Sequence, residues 1–289
     1  MIEVLLPLAL ALIMFSLGLG LELRHFKRVL LRPGILLAGL VSQVVVLPLI
    51  GFSVARLLSL EPMHAAGLMI LAACPGGATA GLLTRMAGGE TALSITLSVI
   101  TGALAFITVP LVVSAGLGFF LGASYSLSLP FTQIILSLLL VTLLPVSLGV
   151  WLRESGRCPK SVEAAFHRLA NLLFLAMVTY TFVANWGSIT TALPSLGAAC
   201  LLLNLAGMSS GLLIGALANA EQPTRVAMAM ECGIQNAALG ITLALSVIGE
   251  PLLAVASVTY ALLMNITALL VIAYRRYRMK RLSSEIFSE

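Results

Sequence analysis

Nine apolar runs divide the sequence and constrain its fold more than any other feature. A hydrophobic helix of about 20 residues crosses the hydrocarbon core of a bilayer. The runs therefore predict nine transmembrane helices, at residues 4–22, 34–58, 62–86, 91–118, 130–153, 165–186, 192–218, 222–247 and 251–274. Because 60% of the residues are hydrophobic and 9% are charged, one water-soluble core could not bury the apolar surface. We expect an all-α polytopic membrane protein embedded in a lipid bilayer.

The basic residues predict how these helices are oriented. With the N-terminus outside, fifteen of the sixteen Lys and Arg fall on the inner side, and only Arg56 falls on the other. The net charge of +5 is thus explained by topology, and no nucleic-acid partner is expected. No basic residue precedes the first apolar run, which favours a retained helix over a cleaved signal peptide. We expect a multi-pass protein of a bacterial inner membrane, with its N-terminus out and its C-terminus in.

One carboxylate lies at an unusual depth. The chain has no Asp, and of its eleven Glu only Glu231 lies well inside a predicted span. A charge at mid-membrane is costly unless it is paired, and the interior of the predicted spans offers no Lys or Arg. A bound cation is the simplest partner for Glu231. Carboxylate, amide and hydroxyl oxygens suit a hard ion such as sodium better than a soft metal.

Two of the predicted helices are interrupted near mid-membrane. The third contains ACPGGATAG at residues 73–81, and the eighth contains ECGIQNAALG at residues 231–240. Such breaks are tolerated where they line a cavity, and they provide half-helix termini for ions. Gln43 and Asn204 each lie about 30 residues before a break. The interrupted helices are five spans apart and cross in opposite directions, which predicts an inverted repeat.

We place the first, shortened repeat of four helices at residues 1–122 and the second repeat of five helices at 130–275, followed by a basic cytoplasmic tail at 276–289.

Four short motifs give the chain a family resemblance. They are CPGG at 74–77, ECGIQN at 231–236, the glutamine of VSQVVVLP at position 43, and ALS at 92–94. With them the chain resembles the bile acid:sodium symporter family over nearly its whole length, in a nine-helix form. The resemblance implies an inverted-repeat transporter with core and panel domains and two crossing broken helices. The panel would be helices 4–22, 130–153 and 165–186, and the remaining helices would form the core.

The same resemblance implies the function and its site residues. It implies sodium-coupled symport, by alternating access, of an organic anion such as a bile acid-like or small carboxylate solute. One sodium site would use side chains and backbone carbonyls of Gln43, Glu231, Cys232, Ile234 and Gln235. A second would combine Glu231 with Ser94 and Ser98. Ala80 and Gly81 stand where the family has an oxygen-bearing serine and asparagine, so this second site is expected to be weak or absent.

The resemblance places the substrate at the breaks and the last helix, at Ala78, Thr79, Asn236 and Asn265. Interhelical hydrogen bonding is an equally good interpretation of Gln43, Asn204 and Asn265 taken singly. Proton-coupled or uncoupled anion transport with Glu231 as the proton site stays open, as does a channel or receptor. An intramembrane enzyme is disfavoured, because GxSxG and HExxH are absent and Glu231 has no acid/base partner. We expect no catalytic residue, no organic cofactor and no obligate protein partner.

Overall fold

The computed structural model describes residues 2–20, 29–122, 131–156, 159–184 and 186–286, and these are almost entirely helical. Every predicted span coincides with a helix or a pair of half-helices in these ranges. They are α1 (Ile2–Leu19), α2 (Pro33–Leu57), α3a (Pro62–Ala73), α3b (Ala80–Met86), α4 (Thr91–Leu121), α5 (131–154), α6 (Lys160–Ala184), α7 (186–217), α8a (Gln222–Gly233), α8b (Ala237–Ile248) and α9 (Pro251–Ile286). Within the described residues no strand forms, apart from one isolated bridge.

Six of these helices are long and apolar enough to cross a membrane, namely α2, α4, α5, α6, α7 and α9. Large apolar side chains also remain on the outer surface, where Leu8, Leu49 and Leu111 are each at least 60% exposed. Exposed leucines over several helices fit a lipid-facing surface and not a water-facing one. The chain is therefore an integral membrane protein.

The ends of the predicted domains differ in part from the helices observed. Residue 1, residues 21–28 within the first predicted repeat, and residues 123–130 at the repeat boundary lie outside the described residues. The predicted tail at 276–289 continues α9 as helix to Ile286, and residues 287–289 also lie outside the description. At 36 residues, α9 is longer than the roughly 20 residues needed to cross a bilayer.

A proline follows two of the π-helical turns in the long helices, those of α2 and α5. Ser42–Val46 in α2 and Leu139–Leu143 in α5 are π-helical, and each is followed at the second position by a proline, Pro48 or Pro145. A proline has no N–H, and its ring clashes with the carbonyl four residues earlier, which here lies inside the π turn. The first of these turns includes Gln43, so the local sequence of α2 places that side chain where the helix is widened.

The helices pack in two groups around the site. α1 lies against α5 and α6, while α3a lies against α4 and α9, and α7 lies against α8a. Gly18 of α1 meets Gly149 of α5, and a Cβ on either would overlap backbone of the other helix. Small residues allow this close approach in membranes, where van der Waals packing drives helix association.

Candidate functional site

The breaks of α3 and α8 cross and pair through their backbones. The N–H of Gly77 donates to the carbonyl of Ile234 at 2.7 Å, and the N–H of Asn236 donates to the carbonyl of Pro75 at 2.9 Å. Together they form an antiparallel bridge between Gly76 and Gln235. Broken backbone in a bilayer needs partners for its freed polar groups, and each break here supplies them to the other.

Glu231 lies in the last turn of α8a, directly beside this bridge, and is only 1% exposed. Its Oε2 accepts a hydrogen bond from Ser94 Oγ at 2.7 Å, and its Oε1 accepts one from Ser98 Oγ at 2.5 Å. The serines are four residues apart on α4, so they lie on one helix face. Among the described residues, no Lys or Arg forms an ion pair with Glu231.

A glycine makes room for this carboxylate. A Cβ at Gly76 would overlap Glu231 Oε1 and would approach Ser98 Oγ at 3.1 Å. The PGG break therefore does more than interrupt α3, because its first glycine lets the backbone of one break lie against the acidic side chain of the other.

Gln43 of α2 meets Gln235, the residue of the α8 break that takes part in the bridge. Gln43 Nε2 donates to Gln235 Oε1 at 3.0 Å, and Gln235 Nε2 donates to the carbonyl of Cys232 at 2.8 Å. Gln43 is 2% exposed, and its Oε1 has no hydrogen-bond partner among the described residues. An unpartnered buried amide oxygen is unfavourable, and a cation at this position would satisfy it. The Ile234 carbonyl, by contrast, already accepts from Gly77.

The chemistry of these groups fits sodium. They are carboxylate, amide, hydroxyl and carbonyl oxygens, which hard cations prefer. No group of three or more His, Cys, Asp and Glu that could hold a metal ion occurs in the described part of the chain.

Three neighbours of the site were not predicted as ligands. Ser42 Oγ lies 3.0 Å from Cys232 Sγ. Asn204 Nδ2 and the Tyr260 hydroxyl both donate to the carbonyl of Gly233, at 2.7 and 2.9 Å. Asn204 and Tyr260 thus satisfy the Gly233 carbonyl, which lies at the end of α8a and has no helical partner because of the break. Asn204 was visible as a polar residue upstream of the break, and the hydroxyl of Tyr260 within an apolar span was the signal for the second donor.

The predicted substrate residues separate into two sets. Ala78 and Thr79 line a cavity of about 490 Å³, and in the described structure neither backbone N–H has a hydrogen-bond partner. Asn236 lines the same cavity, and its Oδ1 caps α8b by accepting from Leu239 N at 3.0 Å. Asn265 lies apart from them, since it lines neither cavity and its Nδ2 donates within α9 to the carbonyl of Ala261 at 2.7 Å.

A second cavity, of about 370 Å³, lies on the other side of Asn236. It is lined mainly by apolar residues of α1, α4 and α5, with Ser98 and Thr142 among its polar members. Leu17 and Asn236 line both cavities, so the two spaces meet at the crossing of the broken helices.

Ala80 and Gly81, the two positions that depart from the family pattern, contribute no side-chain oxygen. Ala80 is fully buried, and a Cβ at Gly81 would lie 2.8 Å from Ile95 Cγ1. An apolar side chain of α4 therefore occupies the space into which a larger residue at position 81 would extend.

Comparison with known proteins finds a matching family model and relatives named as sodium-dependent transporters or cotransporters. The Sodium Bile acid symporter family model matches residues 7–192. The uncharacterized sodium-dependent transporter YocS of Bacillus subtilis is 29% identical over 275 residues, which are 94% of this chain and 83% of that protein. The probable sodium/metabolite cotransporter BASS1, chloroplastic, of Arabidopsis thaliana is 30% identical over 88% of this chain and 63% of its own length. The human ileal sodium/bile acid cotransporter is 25% identical over 82% of this chain and 68% of its own length.

Proposed function

Because the chain belongs to the sodium bile acid symporter family, we propose that it couples the movement of sodium to that of an organic anion. The family is one of transporters, so the intramembrane enzyme is excluded. The observation that carries the proposal is the buried Glu231 carboxylate, surrounded by oxygen ligands with no basic partner among the described residues. A coupled cation offsets the cost of that charge in the membrane.

The first sodium site is centred on Gln43, Glu231 and Gln235. Gln43 Oε1 is available, and a rotation of the Gln235 amide frees the carbonyl of Cys232 that it now binds. The carbonyl of Ile234 has a second lone pair beyond the bond from Gly77. Coupling to a proton on Glu231 is the alternative, as is uncoupled transport. Proton coupling leaves the unpartnered oxygen of Gln43 without a role.

The second sodium site is weaker. Ser94 and Ser98 still have lone pairs after donating to Glu231, so three side chains can offer oxygen to one ion. Ala80 adds none, and Ile95 fills the space beside Gly81. With water and backbone completing the shell, this site binds sodium less tightly than the first.

The anion binds where the breaks leave donors free. The backbone N–H groups of Ala78 and Thr79 line the larger cavity and have no hydrogen-bond partner in the part of the chain that the structure describes, and Asn236 lines both cavities. α3b is only seven residues long, so these two donors matter more than its macrodipole. The relatives are named for bile acids and for metabolites. We therefore assign a small or amphipathic carboxylate as the solute.

Alternating access arises from motion of α1, α5 and α6, the panel, against the other helices, the core. The mutual packing of α1 with α5 and α6 supports this grouping. The cavities reach Glu154 at the end of α5 and Arg85 at the end of α3b, both on the side that the basic residues assign to the cytoplasm. This supports assigning the structure to a state open to the inside.

Uptake into proteoliposomes tests the proposal. Radiolabelled cholate is offered with an inward sodium gradient, with choline replacing sodium, and with an inward proton gradient without sodium. We expect concentrative uptake in the first condition alone. Concentrative uptake driven by protons without sodium would replace this mechanism with the proton-coupled one, and equal uptake in all three conditions would leave an uncoupled carrier.

A further inference from the structure

Two basic side chains stand at one end of the larger cavity, away from the crossing. Arg85 is in the last turn of α3b, and His167 is near the start of α6. Both line the cavity that contains the free amides of Ala78 and Thr79. With a rise of about 1.5 Å per residue, Arg85 lies about 9 Å further along α3b than Thr79. Arg85 is also exposed, so its side chain lies apart from the crossing of the broken helices.

The ring of His167 is held in place by α1. Its Nδ1 lies 2.6 Å from Ser16 Oγ, and the ring sits beside Gly20, where a Cβ would lie 3.4 Å from Cε1. If the serine hydroxyl donates to Nδ1, the proton of the neutral ring is on Nε2. Nε2 is 3.8 Å from Glu163 Oε1, beyond hydrogen-bond distance, and so remains able to donate elsewhere.

The acidic residue at this end of the cavity is already neutralised. Glu163 also lines the cavity, and its Oε2 accepts a short hydrogen bond from Arg153 of α5. Arg85 is exposed and has neither an ion pair nor a side-chain hydrogen bond within the described structure. Among the described residues, no acidic side chain compensates its guanidinium charge, and guanidinium groups bind carboxylates with two parallel hydrogen bonds.

We propose that Arg85 and His167 form an anion subsite at the entrance of the larger cavity, which binds the carboxylate or sulfonate group of the transported solute before or after it occupies the crossing. Arg85 supplies the charge and His167 Nε2 supplies an oriented donor. Arg85 belongs to the core and His167 to the panel, so a solute held by both contacts both moving parts. The subsite rests on the proposed function, since it serves the same solute.

Binding measurements on purified full-length protein in saturating sodium test the subsite. Cholate is the anionic probe, and its methyl ester is the uncharged control. The variants are Arg85→Gln, Arg85→Lys and His167→Gln. Arg278→Gln is the matched control, because Arg278 is an exposed basic residue on the same predicted side that lines neither cavity. The apparent Kd is measured by calorimetry for each protein and probe.

We expect Arg85→Gln to raise the Kd for cholate about tenfold, in line with loss of one charge-assisted contact. His167→Gln should raise the Kd for cholate about threefold, and Arg85→Lys should keep most of the native affinity. The Kd for the ester should stay unchanged in every variant, and Arg278→Gln should match the native protein with both probes. Equal loss of cholate and ester binding in Arg85→Gln would show a structural effect and overturn the subsite. Unchanged cholate binding in Arg85→Gln would overturn the subsite while leaving the proposed function intact. Absence of cholate binding in the native protein would remove both.

Discussion

Replacing Glu231 with glutamine removes one charge from the centre of the site while keeping its shape. The carboxylate accepts hydroxyl bonds from Ser94 and Ser98, and each hydroxyl can either donate or accept. A glutamine can therefore accept from one serine and donate to the other, so the variant should fold. Under the proposed function, what it loses is the anionic ligand for sodium.

The size of the effect follows from linkage. An ion that binds only the folded state stabilises it by RT ln(1 + [L]/Kd), which is about 1.4 kcal/mol at ten times Kd and about 2.7 kcal/mol at a hundred times Kd. For a chain of this size, that corresponds to a rise in Tm of a few degrees. The native protein should show this rise as sodium replaces choline, and Glu231→Gln should show almost none.

Thermal unfolding followed by tryptophan fluorescence measures both proteins across a sodium series at constant ionic strength. Glu61→Gln is the matched control, since the Glu61 side chain is 82% exposed and undergoes the same chemical change. It should keep the full sodium response. If Glu231→Gln keeps it as well, the carboxylate is not a sodium ligand and the site lies elsewhere.

Three further changes probe the surroundings of the carboxylate. Gly76→Ala places a methyl group against it and should destabilise the protein by about 1–3 kcal/mol; an unchanged Tm in sodium would contradict this close contact. Asn236→Ala removes the cap of α8b, so it should lower the free energy of unfolding by about 1 kcal/mol and weaken cholate binding. Asn265→Ala should leave cholate binding unchanged. Equal effects of the two variants on the Kd for cholate would contradict the assignment of Asn236, and not Asn265, to the substrate cavity. Ala80→Ser with Gly81→Asn, combined with Ile95→Ala to open the space beside position 81, should raise the Hill slope for sodium from about one and make uptake voltage-dependent, since a second sodium moves one net charge worth about 2.3 kcal/mol per 100 mV. A native protein that already shows a steep, voltage-driven response would mean that its second site is complete.

The sequence predicted the helices and the breaks because a bilayer leaves few alternatives. Backbone polar groups in lipid must be satisfied within helices, so apolar runs of sufficient length translate directly into spans. The same constraint made PGG at 75–77 and the polar run at 231–236 conspicuous, and the structure pairs them with each other. Glu231 was evident for a related reason, since a carboxylate at that depth is expensive.

The rotation of each helix could not be predicted in the same way. A helix that is apolar all round carries no amphipathic signal to say which face points inward. The apolar part of α9, before Arg275, is such a segment, and it turns Tyr260 toward the end of α8a while Asn265 stays away from the cavities. The position of Ile95 beside Gly81 depends equally on how α4 is rotated against α3b. Both outcomes depend on packing between helices, which the sequence of one helix alone does not specify.

The bridge between the two breaks has an evolutionary consequence. Both of its hydrogen bonds, Gly77 to Ile234 and Asn236 to Pro75, run between main-chain atoms. No exchange of side chains can delete either donor, except the introduction of proline at position 77 or 236. The bridge can therefore be retained while mutations alter the residues that line the cavities around it. Proteins that keep this bridge can differ in the solute that they bind. This fits relatives that are named for bile acids and for metabolites and that are only 25–30% identical to this chain.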